Sequence, residues 1–204
     1  MFKTGGIRLI GVFLDRDGTI GGHGGGIHPA EFTLYDFSGR AIKLLNDHGI
    51  KVFLLTNQSW IGMGKFTEEE FIEGTKTMNG SLNKNRSFFD GIYYCPHTSN
   101  DSCGCRKPRP SLLIRAKEEH NLELKKCYVV GDGLSDIYSA KNVGAKGILV
   151  KTGRGLKSLE EVHTKGIDVK IDHVALNVLD AVDWIRRDIE RYEETCVFDN
   201  HQML

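Results

Sequence analysis

Phe13-Leu14-Asp15-Arg16-Asp17-Gly18-Thr19 constrains this chain more than any other segment. An apolar run from Ile10 to Leu14 ends in two carboxylates one residue apart. Side chains alternate faces along a strand, so Asp15 and Asp17 are expected to leave it on the same side. Carboxylates this close repel each other and attract a cation or a shared proton. Gly18 permits a tight turn. Open α/β sheets bind ligands at the tips of their parallel strands. The expected layout is an aspartate nucleophile beside an acid/base partner, held over a metal ion.

Apolar runs alternate with amphipathic stretches along the rest of the chain. Strands are expected at residues 7–14, 51–55, 90–95, 127–130, 146–150 and 168–173. Helices are expected at 38–48, from 67 onward, and at 111–120, 135–142, 156–163 and 179–192. Thr67 with Glu70 three residues on is a capping-box signal, and Gly49 marks a helix C-terminus. Repeated strand–helix units predict an α/β fold with a doubly wound parallel sheet. At 204 residues the chain accommodates one such domain, read as 1–194, with a frayed tail at 195–204. The run 21–26 (Gly-Gly-His-Gly-Gly-Gly) has almost no side chains and is expected to be a mobile loop.

Charge narrows the function. Lys+Arg and Asp+Glu number 27 each, which argues against a large nucleic-acid or anionic-membrane surface. The segment 1–6 lacks the pattern of a signal peptide, and no apolar run reaches the ~20 residues of a membrane span. The chain therefore reads as cytoplasmic.

Three expected strands end in polar residues: Asp15 and Asp17, Thr56, and Asp132 with Asp136. Any one of these aspartates alone reads more simply as a turn residue or helix cap. Together they make an oxygen-rich edge that needs neutralising and suits Mg²⁺, with Lys107 adding a fixed cation. This pattern resembles the haloacid dehalogenase-like phosphatases. Asp15 to Thr19 matches their D-x-D-G-T motif, Thr56 their second, Lys107 their third, and Asp132 with Asp136 the acidic pair after G-D. The resemblance implies a phosphomonoesterase. In it Asp15 is the nucleophile, Asp17 the acid/base, and Thr56 and Asn57 contact phosphoryl oxygens. Lys107 stabilises developing charge. Mg²⁺ sits on Asp15, the Asp17 carbonyl and Asp132, with Asp136 orienting a metal water.

Cys95-Pro96-His97 and Cys103-Gly104-Cys105 bring three thiols and one imidazole into one polar loop. In a reducing compartment such clusters hold metal more often than disulfides. Soft thiolates with a nitrogen favour tetrahedral Zn²⁺, and four ligands leave no open position, so the metal reads as structural. Arg106 and Lys107 follow directly, which gives a reason to order the loop. Arg106 is expected to meet an anionic or hydroxyl-rich substrate, with Asn57 and Ser59 near it.

C-P-H, a short spacer and C-x-C-R-K-P resemble the zinc-containing branch that holds the D-glycero-D-manno-heptose-1,7-bisphosphate 7-phosphatases and the histidinol-phosphate phosphatases. Residues 56–59 and 89–95 resemble it as well. The chain departs from that pattern at Trp60, where Gly is usual, at Gly133, where many heptose members have Lys, and at Ser111, where Gly is usual. The branch implies a small phosphorylated metabolite as substrate and a monomer, with no nucleic-acid or membrane partner. Flanking segments are too short for a cap domain, leaving the Gly-rich and zinc loops as the covers of the site. Arg106 beside Lys107 favours a bisphosphate, whereas Trp60 could stack on a ring, as in histidinol phosphate. Two further readings are a polynucleotide 3′-phosphatase and a non-catalytic zinc-stabilised binding module.

The remaining histidines, among them His23, His28, His173 and His201, have no paired spacing and read as surface or core residues. Cys127 is expected to pack in the core, and Cys196 has no assigned role.

Overall fold

A computed structural model describes the backbone of residues 9–201 and side chains from Leu9 to Tyr192. The expected start of the first strand at Ile7 and Arg8, the 1–6 segment, and the side chains of Cys196 and His201 lie outside the described residues.

Six strands form one parallel sheet: β1 (Gly11–Leu14), β2 (Lys51–Asn57), β3 (Gly91–Cys95), β4 (Tyr128–Gly131), β5 (Lys146–Val150) and β6 (His173–Ala175), in the order β3-β2-β1-β4-β5-β6. The helices are α1 (Ser38–Asp47), α2 (Ser59–Gly62), α3 (Glu68–Asn83), α4 (Ser111–His120), α5 (Leu134–Val143), α6 (Gly155–Lys165) and α7 (Val178–His201). The chain winds outward from β1 to β3 and then crosses to β4 on the other side of β1. That reversal between β1 and β4 is where such sheets open a crevice for ligand. The expected doubly wound parallel sheet is the one observed.

Period-two alternation sorts the strands into two cores. Val12, Leu14, Val52, Leu54 and Val130 face α1 and α7, which contribute Ala41, Ile42, Leu45, Ala181, Val182 and Ile185. Phe13, Phe53, Leu55 and Val129 face Leu112, Leu113 and Ala116 of α4. Phe13 and Phe53 stack with ring centroids 4.9 Å apart. Each such fully buried side chain is worth roughly 1.5–3 kcal/mol relative to exposure. Thr67 accepts from Glu70 N (3.1 Å) while Glu70 accepts from Thr67 N (2.7 Å), so α3 opens on the expected capping box.

The structure moves several boundaries, three of them with a visible cause. β2 extends two residues past the expected end, to Asn57, because its pairing with β3 continues through Thr56↔Tyr94 and Asn57↔Cys95. The last strand is not 168–173 but His173–Ala175. Asp172 exchanges two hydrogen bonds with Gly147, both 2.9 Å, and ladder pairing starts only at His173. The helical backbone of α7 passes Thr195 and reaches His201; neither glycine nor proline interrupts the sequence there.

Between β1 and α1 the described chain holds one 3₁₀ turn, Pro29–Glu31, and between β2 and α3 only the four-residue α2. No cap domain is inserted among the described residues. No described helix is long and apolar enough to cross a membrane.

Candidate active site

The tips of β1, β2 and β4 and the loop after β3 converge on one crevice of about 320 Å³, lined by Asp15, Asp17, Thr56, Asn57, Arg106, Lys107, Asp136 and Arg154 among others. Asp15 leaves β1 still in register, its N–H donating to Val130 O at 2.9 Å. Gly18 then turns at φ +87°. A Cβ there would lie 2.1 Å from Asp132 Oδ2, so only glycine permits this backbone approach.

Lys107 is the hub. Its Nζ donates to Asp15 Oδ1 (2.7 Å), Asp136 Oδ1 (2.6 Å) and Leu55 O (2.9 Å), which uses all three protons. Burial works against the ammonium, but Asp136 and Asp15 outweigh it and hold its pKa above the ordinary lysine value. Asn57 fixes the backbone of this residue from both sides: its Oδ1 accepts from Lys107 N (3.0 Å) and its Nδ2 donates to Lys107 O (3.3 Å).

Asp17 is set apart from Asp15. Burial pushes its carboxyl up to about 6, with Arg16 opposing. Gln58 Nε2 bridges Asp17 Oδ2 (2.9 Å) and Thr56 Oγ1 (2.8 Å). Asp17 Oδ1 is buried without a hydrogen bond; Arg16 Nη2 lies 3.4 Å away. The Arg16 guanidinium is itself buried and sits 4.4 Å over the Phe32 ring.

Asp132 is fully buried, and burial followed by repulsion from Asp15 raises its pKa. Its Oδ2 accepts from Arg154 N at 2.7 Å. Backbone wraps that oxygen closely: a Cβ on Gly24 or Gly153 would stand 2.5 or 2.3 Å from it. Oxygens of Asp15, Asp132 and Asp136 all lie within 4.8 Å of one another. Three buried carboxylates clustered around one buried ammonium, with backbone drawn in close around Asp132, fit a small divalent ion with oxygen ligands.

The loop after β3 gathers a second donor set. Cys95 Sγ lies 3.6 Å from His97 Nδ1 and 3.7 Å from Cys103 Sγ, and His97 Nδ1 lies 3.3 Å from Cys105 Sγ. A tetrahedral site with Zn–S about 2.3 Å has ligand–ligand edges of about 3.8 Å, so these spacings fit zinc. The four cysteines described, Cys95, Cys103, Cys105 and Cys127, are all free thiols. Thr98 N and Oγ1 both donate to Asp101 Oδ2 (2.7 and 2.8 Å), closing the turn between the two halves of the cluster. Arg106 Nη1 reaches Ser59 Oγ (2.6 Å) and His97 O (3.2 Å), tying this loop to α2.

The Gly-rich run is hydrogen-bonded to its surroundings at its start. Gly18 N donates to Gly21 O (2.6 Å), Gly22 N to Thr33 O (3.1 Å), and Tyr35 OH to Gly22 O (2.5 Å). A Cβ on Gly26 would stand 2.1 Å from Trp60 Cε2. Gly21, Gly24 and Gly26 permit close backbone approach to Thr33, Asp132 and Trp60. Trp60 lies against this loop instead of standing free in the crevice.

Every residue expected at the two sites is thus found at one of them. Gln58, Arg16 and Arg154 were missed. Gln58 is the third residue of the polar run 56–59 and could have been read from it. Arg154 follows the tip of β5, which a count of strand tips would have flagged. Arg16 lies between the two aspartates and carries no sequence signal.

The family model described as HAD-hydrolase-like matches residues 104–181. Over 183 residues the chain is 36% identical to the D-glycero-beta-D-manno-heptose-1,7-bisphosphate 7-phosphatase of Haemophilus ducreyi, covering 85% of this chain and 97% of that relative. Over 153 residues it is 40% identical to the enzyme of the same name from Escherichia coli K12, covering 70% and 80% of the two chains. The chain belongs to the heptose-bisphosphate phosphatase family. It is a haloacid dehalogenase-like phosphatase. A solved member of the family, D,D-heptose 1,7-bisphosphate phosphatase from B. bronchiseptica in complex with magnesium and phosphate, superposes with a TM-score of 0.80 at 27% identity. That match covers 88% of this chain and 99% of that one.

Proposed function

We propose that this phosphatase removes the 7-phosphate of D-glycero-D-manno-heptose 1,7-bisphosphate. The observation that carries the reading is the division of the crevice's cations: Lys107 is committed to Asp15 and Asp136, while two guanidiniums, Arg106 and Arg154, line the same crevice with no protein hydrogen bond as short as the Lys107 pair to a carboxylate. A bisphosphate brings a second dianion for them to meet. The relatives named above support the same substrate.

In this reading Asp15 attacks phosphorus in line, forming an aspartyl-phosphate as the bond to the leaving oxygen breaks. Asp17 carries the proton for that oxygen, which its raised pKa suits. It then takes a proton from the water that attacks the aspartyl-phosphate, and inorganic phosphate is released. Gln58 aims both partners by donating to Asp17 and Thr56. Thr56 lines the crevice at the phosphoryl position. Asn57 contributes by fixing the Lys107 backbone, and Lys107 stabilises charge that develops on the phosphoryl group. Arg106, held by Ser59, faces the substrate. Asp15, the Asp17 carbonyl and Asp132 would hold Mg²⁺, with Asp136 beside them, and bound Mg²⁺ would offset phosphoryl charge as a Lewis acid. Cys95, His97, Cys103 and Cys105 would hold Zn²⁺ as a structural staple.

The partner in this reading is a small phosphorylated metabolite; it needs no nucleic acid, membrane or second subunit, so we infer a monomer. The free thiols fit a reducing compartment, which supports a cytoplasmic location. Histidinol phosphate is the second reading, on Trp60. The contact between the indole and Gly26 leaves it more a wall than an open stacking surface.

The deciding experiment compares kcat/KM for heptose 1,7-bisphosphate, histidinol phosphate and a 3′-phosphorylated oligonucleotide, with and without EDTA. The expected order puts the bisphosphate first by tenfold or more, about 1.4 kcal/mol of transition-state binding, with activity lost in EDTA. Preference for either competitor by tenfold overturns the substrate.

A further inference from the structure

We propose that Arg154 is a specificity-determining residue: with a divalent cation on Asp132, its guanidinium receives the second anionic group of the substrate. This rests on the bisphosphate reading above and extends it to a residue that no catalytic motif contains.

Arg154 has two attachments to Asp132, and they differ. Its backbone N–H donates to Asp132 Oδ2 at 2.7 Å. Its Nη2 lies 3.5 Å from Asp132 Oδ1, at the outer limit of a hydrogen bond. The first is part of the loop after β5. The second is a loose ion pair between a fully buried carboxylate and a side chain that is 57% exposed. The stem of the side chain is packed, because a Cβ on Gly24 would stand 3.0 Å from Arg154 Cγ. The head overlies Gly133, whose missing Cβ would lie 3.7 Å from Nη2. Arg154 thus reaches into the crevice across a residue that has no side chain.

A divalent ion and a guanidinium compete for the same carboxylate. The ion bonds carboxylate oxygen at about 2.0–2.1 Å and carries twice the charge, so it outweighs a 3.5 Å contact. Once Asp132 is engaged by the ion, Arg154 has lost its counter-charge while its stem still aims it into the crevice. Lys107 cannot serve the second phosphate, since all its protons are used inside the site. Arg106 sits near the β3 loop at one side of Asp15, and Arg154 follows β5 at the other. A planar guanidinium also matches a phosphate with two parallel N–H donors.

The test uses the full-length enzyme and its Arg154→Gln and Arg154→Lys variants, which keep the backbone N–H on Asp132. Steady-state kinetics on heptose 1,7-bisphosphate and on a heptose 7-phosphate are paired with calorimetric titration of Mg²⁺ into substrate-free protein. Arg154→Gln is expected to lower kcat/KM for the bisphosphate by tenfold or more, chiefly through KM. The monophosphate should stay within twofold, and Arg154→Lys should recover part of the loss. Mg²⁺ should bind Arg154→Gln as tightly as wild type or tighter, because a competing cation has gone. Equal losses on both substrates, or weaker Mg²⁺ binding, would show that Arg154 only supports Asp132 and would overturn the proposal. A wild-type enzyme that does not prefer the bisphosphate overturns the substrate reading itself, and this inference with it.

Discussion

Lys107 and Asp15 meet in the interior, Nζ to Oδ1 at 2.7 Å, although 92 residues separate them along the chain. The same ammonium reaches Asp136 at 2.6 Å, so one buried cation joins the loop after β3 to the turn after β1 and to α5. Removing one member of a buried ion cluster leaves the others desolvated and unpaired.

Lys107→Met is therefore expected to destabilise the fold by ~3–5 kcal/mol as well as abolish turnover. Asp15→Asn keeps shape and removes the attacking charge; turnover is expected to fall by at least ~10³-fold with the fold retained. Urea unfolding with steady-state assays separates the two. Asp15→Asn with more than a tenth of wild-type turnover would sink its role as nucleophile.

Freshly purified protein is expected to carry close to one zinc per chain on Cys95, His97, Cys103 and Cys105. Cys105→Ser should lose it and lower activity while the far-UV circular dichroism of the sheet and helices stays in place, because Arg106 and Lys107 follow the loop directly. Elemental analysis reads the first part. A ratio near zero, or a disulfide between any two of these cysteines, contradicts it.

Gly26→Ala places a methyl 2.1 Å from Trp60 Cε2, so the indole and α2 must shift. Since small displacements of positioning groups cost up to ~10²-fold, kcat/KM is expected to fall between about tenfold and that limit. Trp60→Ala in the same chain should restore part of the loss by removing the clash. A double variant no better than Gly26→Ala would mean the two residues are not in conflict.

Asp17 ties stability to pH. Burial raises its folded-state pKa from 3.8 to about 6, so ionising it disfavours the folded state. Its favourable contribution is complete below the unfolded value near 4 and is lost as pH rises through 6; a shift of this size is worth about 3 kcal/mol. Asp17→Asn cannot ionise. In buffer without added divalent cation, the wild-type melting temperature should fall relative to Asp17→Asn between pH 4 and pH 7. Parallel curves would refute the account.

Arg106→Ala removes the guanidinium held by Ser59 Oγ at 2.6 Å. The loss in kcat/KM should be greater for heptose 1,7-bisphosphate than for a generic monoester. Equal losses would remove Arg106 from substrate choice.

The sequence by itself determined what depends on neighbours along the chain. Continuous apolar runs specified buried strands, because a parallel sheet covered by helices on both faces buries nearly every residue of its central strands. Thr67 and Glu70 specified the start of α3, because a capping box closes within four residues. The cluster of Cys95, His97, Cys103 and Cys105 was legible for the same reason of short range, Asp15, Thr56 and Asp132 were legible at the ends of their strands, and Lys107 from its motif in the loop after β3. Tertiary structure alone decided what depends on strand order. It put Lys107 between Asp15 and Asp136, and Arg154 against Asp132 from the far side of β4. It set Gly24 against Asp132 and Gly26 against Trp60. It also delayed the last strand to His173, where Gly147 and Asp172 close the approach. A local pattern records which face a residue buries, but not which distant element covers it, since that is settled only when the sheet assembles.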